Sequence, residues 1–355
     1  GARHPARSPD ENIADLKAQL AANIRGAAEL SALTVEFGLA EVTRYMAHVL
    51  DNGEAAIRNL LGELKGGNFR IETDQGTVIE VSIKIDTTTR SAIVDFTGTS
   101  PEQPTSFNAP APVTRAAVLY VFRVLADVPI PLNAGCLRPI EIRIPEGSML
   151  RPRFPAPVVA GNTETSQIVT NALFAALGQL APSQGTMNNL TFGNARVQYY
   201  ETIASGSPAG PGFHGAAGVH AHMTNTRMTD AEILELRYPV MVEEFAIRRG
   251  SGGRGQFNSG DGTRRTLRFR EPMHVSLLSG YRSIAPPGLN GGQPGERGRN
   301  IVRRASGSSE DLGGCGEANV NIGDVLIIET PTGGGFGPAV GPHATLSHHN
   351  ETCST

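Results

Sequence analysis

The chain opens with a helical pattern of apolar residues. They recur three or four positions apart, which predicts an amphipathic helix with one apolar stripe, at Ile13, Leu16, Leu20 and Ile24. Ser8 and Glu11 match a Ser-x-x-Glu capping box, and Pro9 between them suits the first helical position. The sequence therefore predicts a helix that begins at residue 9.

A second helical pattern spans residues 39–64. The apolar positions predicted to face inward are Val42, Met46, Val49, Ile57, Leu60 and Leu64. Gly53 is a candidate break in this helix, and the pair Gly66 and Gly67 predicts its end. Together the two patterns predict a helical arm over residues 1–70.

Beyond residue 77 apolar and polar residues alternate, which is typical of strands. This part is predicted to contain hairpins at 77–98 and 189–203, helices at 113–125 and 164–180, and strands at 140–147, 273–279 and 324–331. We therefore expect a mixed α+β fold. Its predicted parts are the helical arm at 1–70, a central α/β layer at 71–240, a β-rich, glycine-laden part at 241–338, and a flexible tail at 339–355.

The composition is that of a globular protein, with 39% apolar and 18% charged residues. A formal net charge of −3 argues against nucleic acid or an anionic membrane as the main partner. No apolar run reaches the roughly 18 residues that a membrane span needs. The three cysteines lack the spacing of a metal site, which favours reduced thiols in the cytoplasm. The chain starts at Gly1 without a methionine, which is typical of a sequence cut from a longer one.

Seven arginines crowd into residues 248–270. Glu243, Glu244 and Asp261 lie close to them in the sequence. We interpret the run as a solvated, partly neutralised face, because runs of charge usually have no specific ligand.

Two glycine patterns bear on nucleotide binding. The stretch GSGGRG at 250–255 has the glycine spacing of a dinucleotide fingerprint, but a loop and not a helix follows it. We therefore interpret it as a hairpin loop. The chain contains no Gly-x-x-x-x-Gly-Lys-Ser/Thr stretch, so the sequence predicts no ATP-binding loop of this type.

The stretch AGNTETSQ at 160–167 leads from an apolar run into a helix. Free backbone amides at a helix N-terminus suit a carboxylate, a phosphate or an oxyanion, and nearby hydroxyls add donors. We predict a substrate-binding cradle formed by Asn162, Thr163, Thr165 and Ser166. The alternative is ordinary capping of the helix by Asn162 or Thr163. The polar loop SQGTMNN at 183–189 either binds a ligand or satisfies buried backbone groups.

The stretch GVHAHMTNTR at 218–227 holds two histidines two residues apart. If residues 218–224 are extended, His220 and His222 project from the same face of a strand. Two histidines alone are an incomplete metal site, and a buried histidine held by a backbone carbonyl is the other interpretation. We predict that His220, His222 and Arg227 line the reaction pocket as catalytic residues and that Asn225 binds substrate. Arg227 is suited to hold a substrate carboxylate in a bidentate way, and the metal ligands stay unassigned.

Nine stretches in one order, from about residue 8 to 337, point to a single family. Among them are DFTGTSP, VVAGNTETSQ, SQGTMNNLTFGN, GVHAHMTNTRMTDAEILELRYPV and GDVLIIETPTGGGFG. The set resembles the hydantoinase B/5-oxoprolinase family. Two stretches depart from the family pattern, at His214 in GPGFHGA and in SGYRSIAPPGLNGG, and either departure bears on contacts with substrate or partner.

The resemblance implies a partner and an energy source. In this family a hydantoinase A-type part binds ATP and activates a lactam or other cyclic amide by phosphorylation, and the B-type part carries the intermediate to the ring-opened acid. The resemblance thus implies an ATP-dependent cyclic-amide hydrolase of the 5-oxoprolinase or hydantoinase type, acting as a cytoplasmic hetero-oligomer. Similar B-type subunits belong to acetone and acetophenone carboxylases, so ketone carboxylation is one alternative. A non-catalytic structural portion of such a complex is the other.

Family members also carry an earlier stretch that holds the His and Asp ligands of a metal ion. This chain starts after that stretch, so the resemblance assigns no metal ligand to it. A divalent metal ion is then expected on ligands outside this chain, and a separate chain carrying the earlier segment is a second expected partner.

Overall fold

The computed structural model describes residues 9–224 and 226–339. This part of the chain contains five α-helices, namely α1 (Pro9–Phe37), α2 (Leu39–Leu61), α3 (Ala111–Leu125), α4 (Thr165–Ala176) and α5 (Ala231–Arg237). The strands of the same part are β1 (Gly67–Glu72), β2 (Val78–Asp86), β3 (Ser91–Asp95), β4 (Ile140–Arg143), β5 (Asn189–Gly193), β6 (Gln198–Glu201), β7 (Val240–Ile247), β8 (Thr263–Phe269), β9 (Met273–Leu278), β10 (Arg299–Arg303), β11 (Ser309–Asp311), β12 (Glu317–Val320) and β13 (Val325–Glu329). The predicted α+β fold class is confirmed.

The strands of the described residues form three sheets, ordered β1-β2-β3-β4, β11-β10-β13-β8-β7 and β12-β9-β5-β6. Neighbours pair antiparallel, except that β3 and β4 run parallel. The predicted hairpins are confirmed, since β2 pairs with β3 and β5 pairs with β6. The glycine stretch 250–255 joins the antiparallel strands β7 and β8, as expected of a hairpin loop. The third sheet draws strands from both sides of residue 240.

Two main hydrophobic cores hold these layers together. In the first, α3 and α4 pack with the sheet β1–β4, and the buried side chains include Ile79, Val94, Phe122 and Phe174. The second core lies among the strands of the other two sheets, with Phe192, Leu267 and Val275 fully or almost fully buried. Buried apolar area is the main source of stability in such layers. Helix α4 contributes twelve buried residues, so the stretch before it is anchored in the first core.

The helical arm departs from its predicted packing. Helix α1 has no buried residue, and its apolar stripe, from Ile13 to Ile24, is at least half exposed. In α2 the prediction is confirmed for Ile57, which is buried, but wrong for Met46 and Val49, which are 54% and 44% exposed. The periodic pattern identified the helices correctly, but periodicity does not say whether a neighbour covers the stripe.

Gly53 does not break α2. The helix continues through this residue, and the glycine lies against the short 3-10 turn at 134–137. A Cβ atom at this position would lie 2.7 Å from Oδ1 of Asn133 and 3.2 Å from Sγ of Cys136. Close packing, and not a helix end, explains the glycine.

Arg265 corrects the interpretation of residues 248–270 as a solvated face. Its side chain is only 1% exposed, and its Nε donates to Oε1 of Glu201 at 2.7 Å. Its guanidinium also lies 5.3 Å from the ring centre of Phe245. A buried charge persists only when it is paired and hydrogen-bonded, and Glu201 provides both.

Among the described residues, no helix is long and apolar enough to cross a bilayer. The tail predicted at 339–355 lies outside the described residues from residue 340 onward.

Candidate functional site

Two hydroxyl groups of the predicted substrate-binding cradle, at the first turn of α4, hydrogen-bond to backbone carbonyls. The hydroxyl of Thr165 donates to the carbonyl of Phe107, and the hydroxyl of Ser166 donates to the carbonyl of Asn162 at 2.7 Å. Asn162 is exposed, and the Thr163 hydroxyl oxygen is buried without a hydrogen-bond partner in the described residues. Neither Asn162 nor Thr163 caps the helix. The N-cap residue is Glu164, and its side chain makes no capping hydrogen bond. The alternative of ordinary capping by those residues is therefore wrong.

Glu164 is the unexpected group at this turn. The residue is 2% exposed. Its Oε1 accepts hydrogen bonds from the backbone N–H of Met187 at 3.0 Å and from Nδ2 of Asn189 at 2.7 Å, whereas its Oε2 has no partner in the described residues. Burial disfavours the charged form of a carboxyl and raises the pKa of Glu164 to about 8. Glu164 is therefore mostly protonated at neutral pH.

Glu164 lines a small cavity. The cavity has a volume of about 20 Å³, which is room for about one water-sized group. Tyr281 lines it as well, and its hydroxyl is buried with no partner in the described part of the chain. Burial is the first cause that raises the pKa of Tyr281, so two neutral donor residues line one small, mainly apolar cavity.

Two glycines shape this cavity. Gly185 has a φ of 60°, and a Cβ atom there would lie 2.3 Å from the ring of Tyr281, so only glycine admits the tyrosine. At Gly280 a Cβ atom would lie 3.6 Å from Oε2 of Glu164, at ordinary contact distance. Asp74 holds the next residues in place, since its carboxylate accepts the backbone N–H groups of residues 282, 283 and 284.

The polar loop 183–189 satisfies buried groups. Asn171 accepts the backbone N–H of Ser183 through Oδ1, and Nδ2 of Asn188 donates to Oε1 of Gln184 and to the carbonyl of Ile203. The same loop provides the donors at 187 and 189 that bind Glu164. Of the two interpretations of this loop, the satisfaction of buried groups is therefore present in the structure.

The expectation of an extended segment at 218–224 is wrong. The chain turns at residues 222–223, and His222 has a φ of 55°, a left-handed conformation that no regular strand contains. The same-face argument for His220 and His222 therefore fails. The ring of His222 stacks on Phe174 with 5.3 Å between ring centres and meets Tyr120 edge to face at 6.1 Å. Burial lowers its pKa to about 4, so the ring is neutral at pH 7.

The histidine segment nevertheless packs against α4. The Nε2 of Gln167, in the first turn of the helix, donates to the carbonyl of Ala221 at 3.2 Å and to the hydroxyl of Thr224 at 2.7 Å. His220 is half-buried, and neither ring nitrogen has a partner in the described residues. Arg227 is exposed, and Asn225 lies outside the described residues. The structure thus brings the two predicted regions together through Gln167, and the roles assigned to their residues stay predictions.

Buried polar atoms without a partner concentrate in this region. In the described part of the chain there are twelve such side-chain atoms, and nine belong to Thr163, Glu164, Gln167, Gln184, His220, His222, Tyr281 and Arg282. Native proteins leave few buried polar groups unsatisfied, and each one calls for an explanation. The region around the N-terminus of α4 is therefore the candidate site.

The residues of this region do not fit a metal ion. Within residues 9–224 and 226–339, no three His, Cys, Asp or Glu side chains are grouped so that they could hold one. The sequence comes nearest to a metal-ligand set in the pair His220 and His222. The turn that begins at residue 222 separates these two histidines. No step of the chemistry is therefore assigned to a metal ion on this chain.

Sequence reasoning missed Glu164 and Tyr281. Glu164 stands inside the stretch 160–167, but that stretch was judged by its hydroxyl side chains. Glu164 could have been recognised in the sequence as a single acid at the start of a helix whose following residues are mostly small or apolar. Such a helix is buried in the core, and the acid at its start is buried with it. Tyr281 lies in the stretch SGYRSIAPPGLNGG, whose departure from the family pattern pointed to contacts with substrate or partner. Its place in the cavity could not be predicted, since it depends on contacts with residues about 100 and 200 positions earlier in the chain.

The chain matches the family described as hydantoinase B/oxoprolinase over residues 2–339. It is 47% identical over 347 residues to 5-oxoprolinase 1 of Arabidopsis thaliana, a match that covers 93% of this chain and 27% of the relative. It is 46% identical to the 5-oxoprolinase of Dictyostelium discoideum, covering 94% of this chain and 27% of that protein. The chain thus spans about a quarter of the length of these relatives.

Two solved structures are similar to this fold. The ATP-dependent caprolactamase from Pseudomonas jessenii matches with a TM-score of 0.76 and 23% identity, covering 91% of this chain and 61% of that one. The nucleotide-free acetone carboxylase matches with a TM-score of 0.75 and 16% identity, covering 86% of this chain and 50% of that one. At these identities the similarity concerns the fold.

Proposed function

Because this chain belongs to the hydantoinase B/oxoprolinase family, as the sequence predicted, we propose that it is the B-type part of an ATP-dependent cyclic-amide hydrolase of the 5-oxoprolinase type. The observation that carries the proposal is the 47% identity to 5-oxoprolinase 1 over 93% of this chain. A hydantoinase A-type partner binds the ATP, and the assembly is a cytoplasmic hetero-oligomer. The lack of a phosphate-loop motif in the sequence supports this division of labour.

Within this function Glu164 is the general acid. Opening the phosphorylated cyclic amide breaks the carbon–nitrogen bond as a water oxygen adds to the carbonyl carbon. The departing ring nitrogen takes a proton from the acid, a proton of the attacking water then replaces it there, and hydrolysis of the ring-opened product releases the phosphoryl group as inorganic phosphate. A general acid works best when its pKa lies near the working pH, and Glu164 has a pKa of about 8. Its Oε1 accepts two hydrogen bonds from the protein, which leaves the proton to Oε2, the oxygen nearest to Gly280 in the cavity lining.

The cavity sets how this proton reaches the substrate. A volume of about 20 Å³ excludes a lactam ring but admits one water-sized group. The proton of Glu164 therefore passes through a single water, a distance that general acid catalysis tolerates. The hydroxyl of Tyr281 orients that water from the other side of the cavity.

The residues predicted to line the reaction pocket, here called the wall of the pocket, have two further roles. Arg227 is exposed, so its guanidinium is available to bind a substrate carboxylate. His220 and His222 are held neutral by burial, and His222 positions the wall through its stacking on Phe174. Thr165 and Ser166 shape the turn through their hydrogen bonds to backbone carbonyls.

Glu164→Gln in the assembly with the A-type partner tests the proposal. Glutamine keeps the size and can keep the hydrogen bonds at Oε1, but it cannot transfer a proton. With 5-oxoproline as substrate, ring opening should fall roughly 10²- to 10⁴-fold. Glu63→Gln, on the exposed surface after α2, is the matched control and should leave turnover unchanged. A Glu164→Gln assembly within twofold of the wild type would exclude the general-acid role.

The likeness to acetone carboxylase favours one second candidate, the ATP-dependent carboxylation of a ketone. The two functions separate in one assay of phosphate release by the assembly. Release that requires 5-oxoproline supports the amide hydrolase. Release that requires bicarbonate and acetone, with none from 5-oxoproline, would assign the carboxylase instead.

A further inference from the structure

A second cleft, which shares no lining residue with the Glu164 cavity, is rich in arginine. It lies between the loop that follows β9 and the start of β10, and its volume is about 600 Å³. The charged side chains that line it are Arg248, Arg282, Arg297, Arg299, Glu296 and Asp311. Four guanidinium groups and two carboxylates line the cleft, and a third carboxylate, that of Glu329 just outside it, pairs with Arg299.

Two of these guanidinium groups have no carboxylate partner in the described residues. Arg248 pairs with Glu296 at 2.8 Å, and Arg299 pairs with Glu329, just outside the cleft, at 2.7 Å. Arg297 donates only to the carbonyl of Ser283, at 3.0 Å. Arg282 donates to amide and carbonyl oxygens, and its Nε has no partner.

Arg282 is held in place as a fixed part of the cleft wall. Its Nη1 donates to Oδ1 of Asn188 at 2.9 Å and its Nη2 to Oδ1 of Asn300 at 3.1 Å. Its guanidinium also lies on Gly298, where a Cβ atom would be 2.7 Å from Cζ and Nε. Burial lowers the pKa of Arg282 to about 10, the carboxyl groups of Glu164 and Asp74 act in the opposite direction, and the charge of Arg248 lowers the pKa further.

We propose that the cleft of Arg248, Arg282, Arg297 and Arg299 binds a phosphate-class dianion. The two guanidinium groups without a carboxylate partner, those of Arg282 and Arg297, match the charge of a dianion, whereas a monocarboxylate matches only one of them. Planar guanidinium groups offer paired donors that match the oxygens of a phosphoryl group. Inorganic phosphate and the phosphoryl group of a small organic phosphate share this chemistry. The site is one of equilibrium binding and does not depend on the amide-hydrolase proposal.

The test is calorimetric titration of the chain at constant ionic strength, with inorganic phosphate, phenyl phosphate and acetate in separate arms. Inorganic phosphate should bind saturably and more tightly than acetate. Similar affinities for the two phosphates identify a site for the phosphoryl group, and tighter binding of inorganic phosphate identifies a site for the free ion. Arg297→Gln should weaken phosphate binding about tenfold, the loss of one charge-assisted hydrogen bond. Arg297→Lys should fall between this variant and the wild type.

Arg303→Gln is the matched control. Arg303 lies at the other end of β10, is half exposed and pairs with Glu243, so its loss changes the net charge equally but leaves the cleft intact. Its phosphate affinity should stay within twofold of the wild type. Absence of saturable phosphate binding would overturn the proposal. Equal weakening by Arg297→Gln and Arg303→Gln, or acetate binding as tight as phosphate binding, would do the same.

Discussion

The raised pKa of Glu164 predicts how the stability of the protein depends on pH. The group has a pKa of about 8 in the folded chain and an ordinary value of 4.5. Between these values the folded state binds a proton that the unfolded state has released. The free energy of unfolding therefore decreases as pH rises from 4.5 to 8, and above 8 the folded protein carries the full cost of a buried, ionised carboxylate.

The magnitude follows from the two pKa values. Over the whole window the difference of about 3.5 units corresponds to about 5 kcal/mol, at roughly 1.4 kcal/mol per unit. Between pH 6 and pH 9 the wild type should lose about 2 to 3 kcal/mol through this one group. Glu164→Gln carries no titratable group at this position, and its amide resembles the protonated acid in shape. The variant should lose none of this contribution.

Urea unfolding of the wild type and of Glu164→Gln at pH 6, 7, 8 and 9 measures the effect. The difference between the two unfolding free energies should change by about 2 to 3 kcal/mol in favour of the variant as the pH rises. Comparison of two proteins cancels the other groups that titrate in this range. Glu63→Gln should follow the wild type at every pH. Parallel curves for the wild type and Glu164→Gln would refute a raised pKa at Glu164 and, with it, the general-acid role.

Three further variants test the site and the core. Gly280→Ala places a methyl group 3.6 Å from Oε2 of Glu164. This variant should lower turnover roughly tenfold or more without a change in melting temperature. Unchanged turnover would show that the reaction does not use the cavity. Arg227→Ala should lower turnover strongly and leave the melting temperature within a few degrees, whereas unchanged turnover with early melting would make the stretch structural. Glu201→Gln leaves the buried charge of Arg265 without its carboxylate and should cost about 3 to 5 kcal/mol in urea unfolding, and a cost below about 1 kcal/mol would show that water reaches the pair.

Local patterns predicted the elements of this fold, and long-range contacts decided what the elements do. Helix α4 and the hairpin β5–β6 follow directly from the spacing of apolar residues. The left-handed conformation of His222 could not be predicted, because it is a non-glycine residue and nothing adjacent in the sequence requires the turn. The exposure of Met46 was equally hidden, since an apolar stripe looks the same whether or not a neighbour covers it.

The family could be predicted from the sequence, but the chemistry of the site could not. Stretches such as VVAGNTETSQ carry the resemblance, and Glu164 stands inside that stretch. Its properties arise first from its burial, then from Met187 and Asn189, which bind one of its oxygens, and from the nearby charge of Arg282. A carboxyl group has no fixed acidity apart from such neighbours and its burial.

The energy of the unsatisfied polar atoms supports a ligand or bound solvent around α4. Each buried polar group without a partner costs about 1 to 3 kcal/mol. The nine atoms gathered at this site would then cost about 9 to 27 kcal/mol, as much as or more than the roughly 5 to 15 kcal/mol by which a whole domain is stable. A folded chain cannot carry that cost with its groups left dry, so water, substrate or a partner must satisfy most of them. The ion pair of Glu201 and Arg265 shows the contrast, because that buried charge finds its partners within the chain and needs nothing from outside.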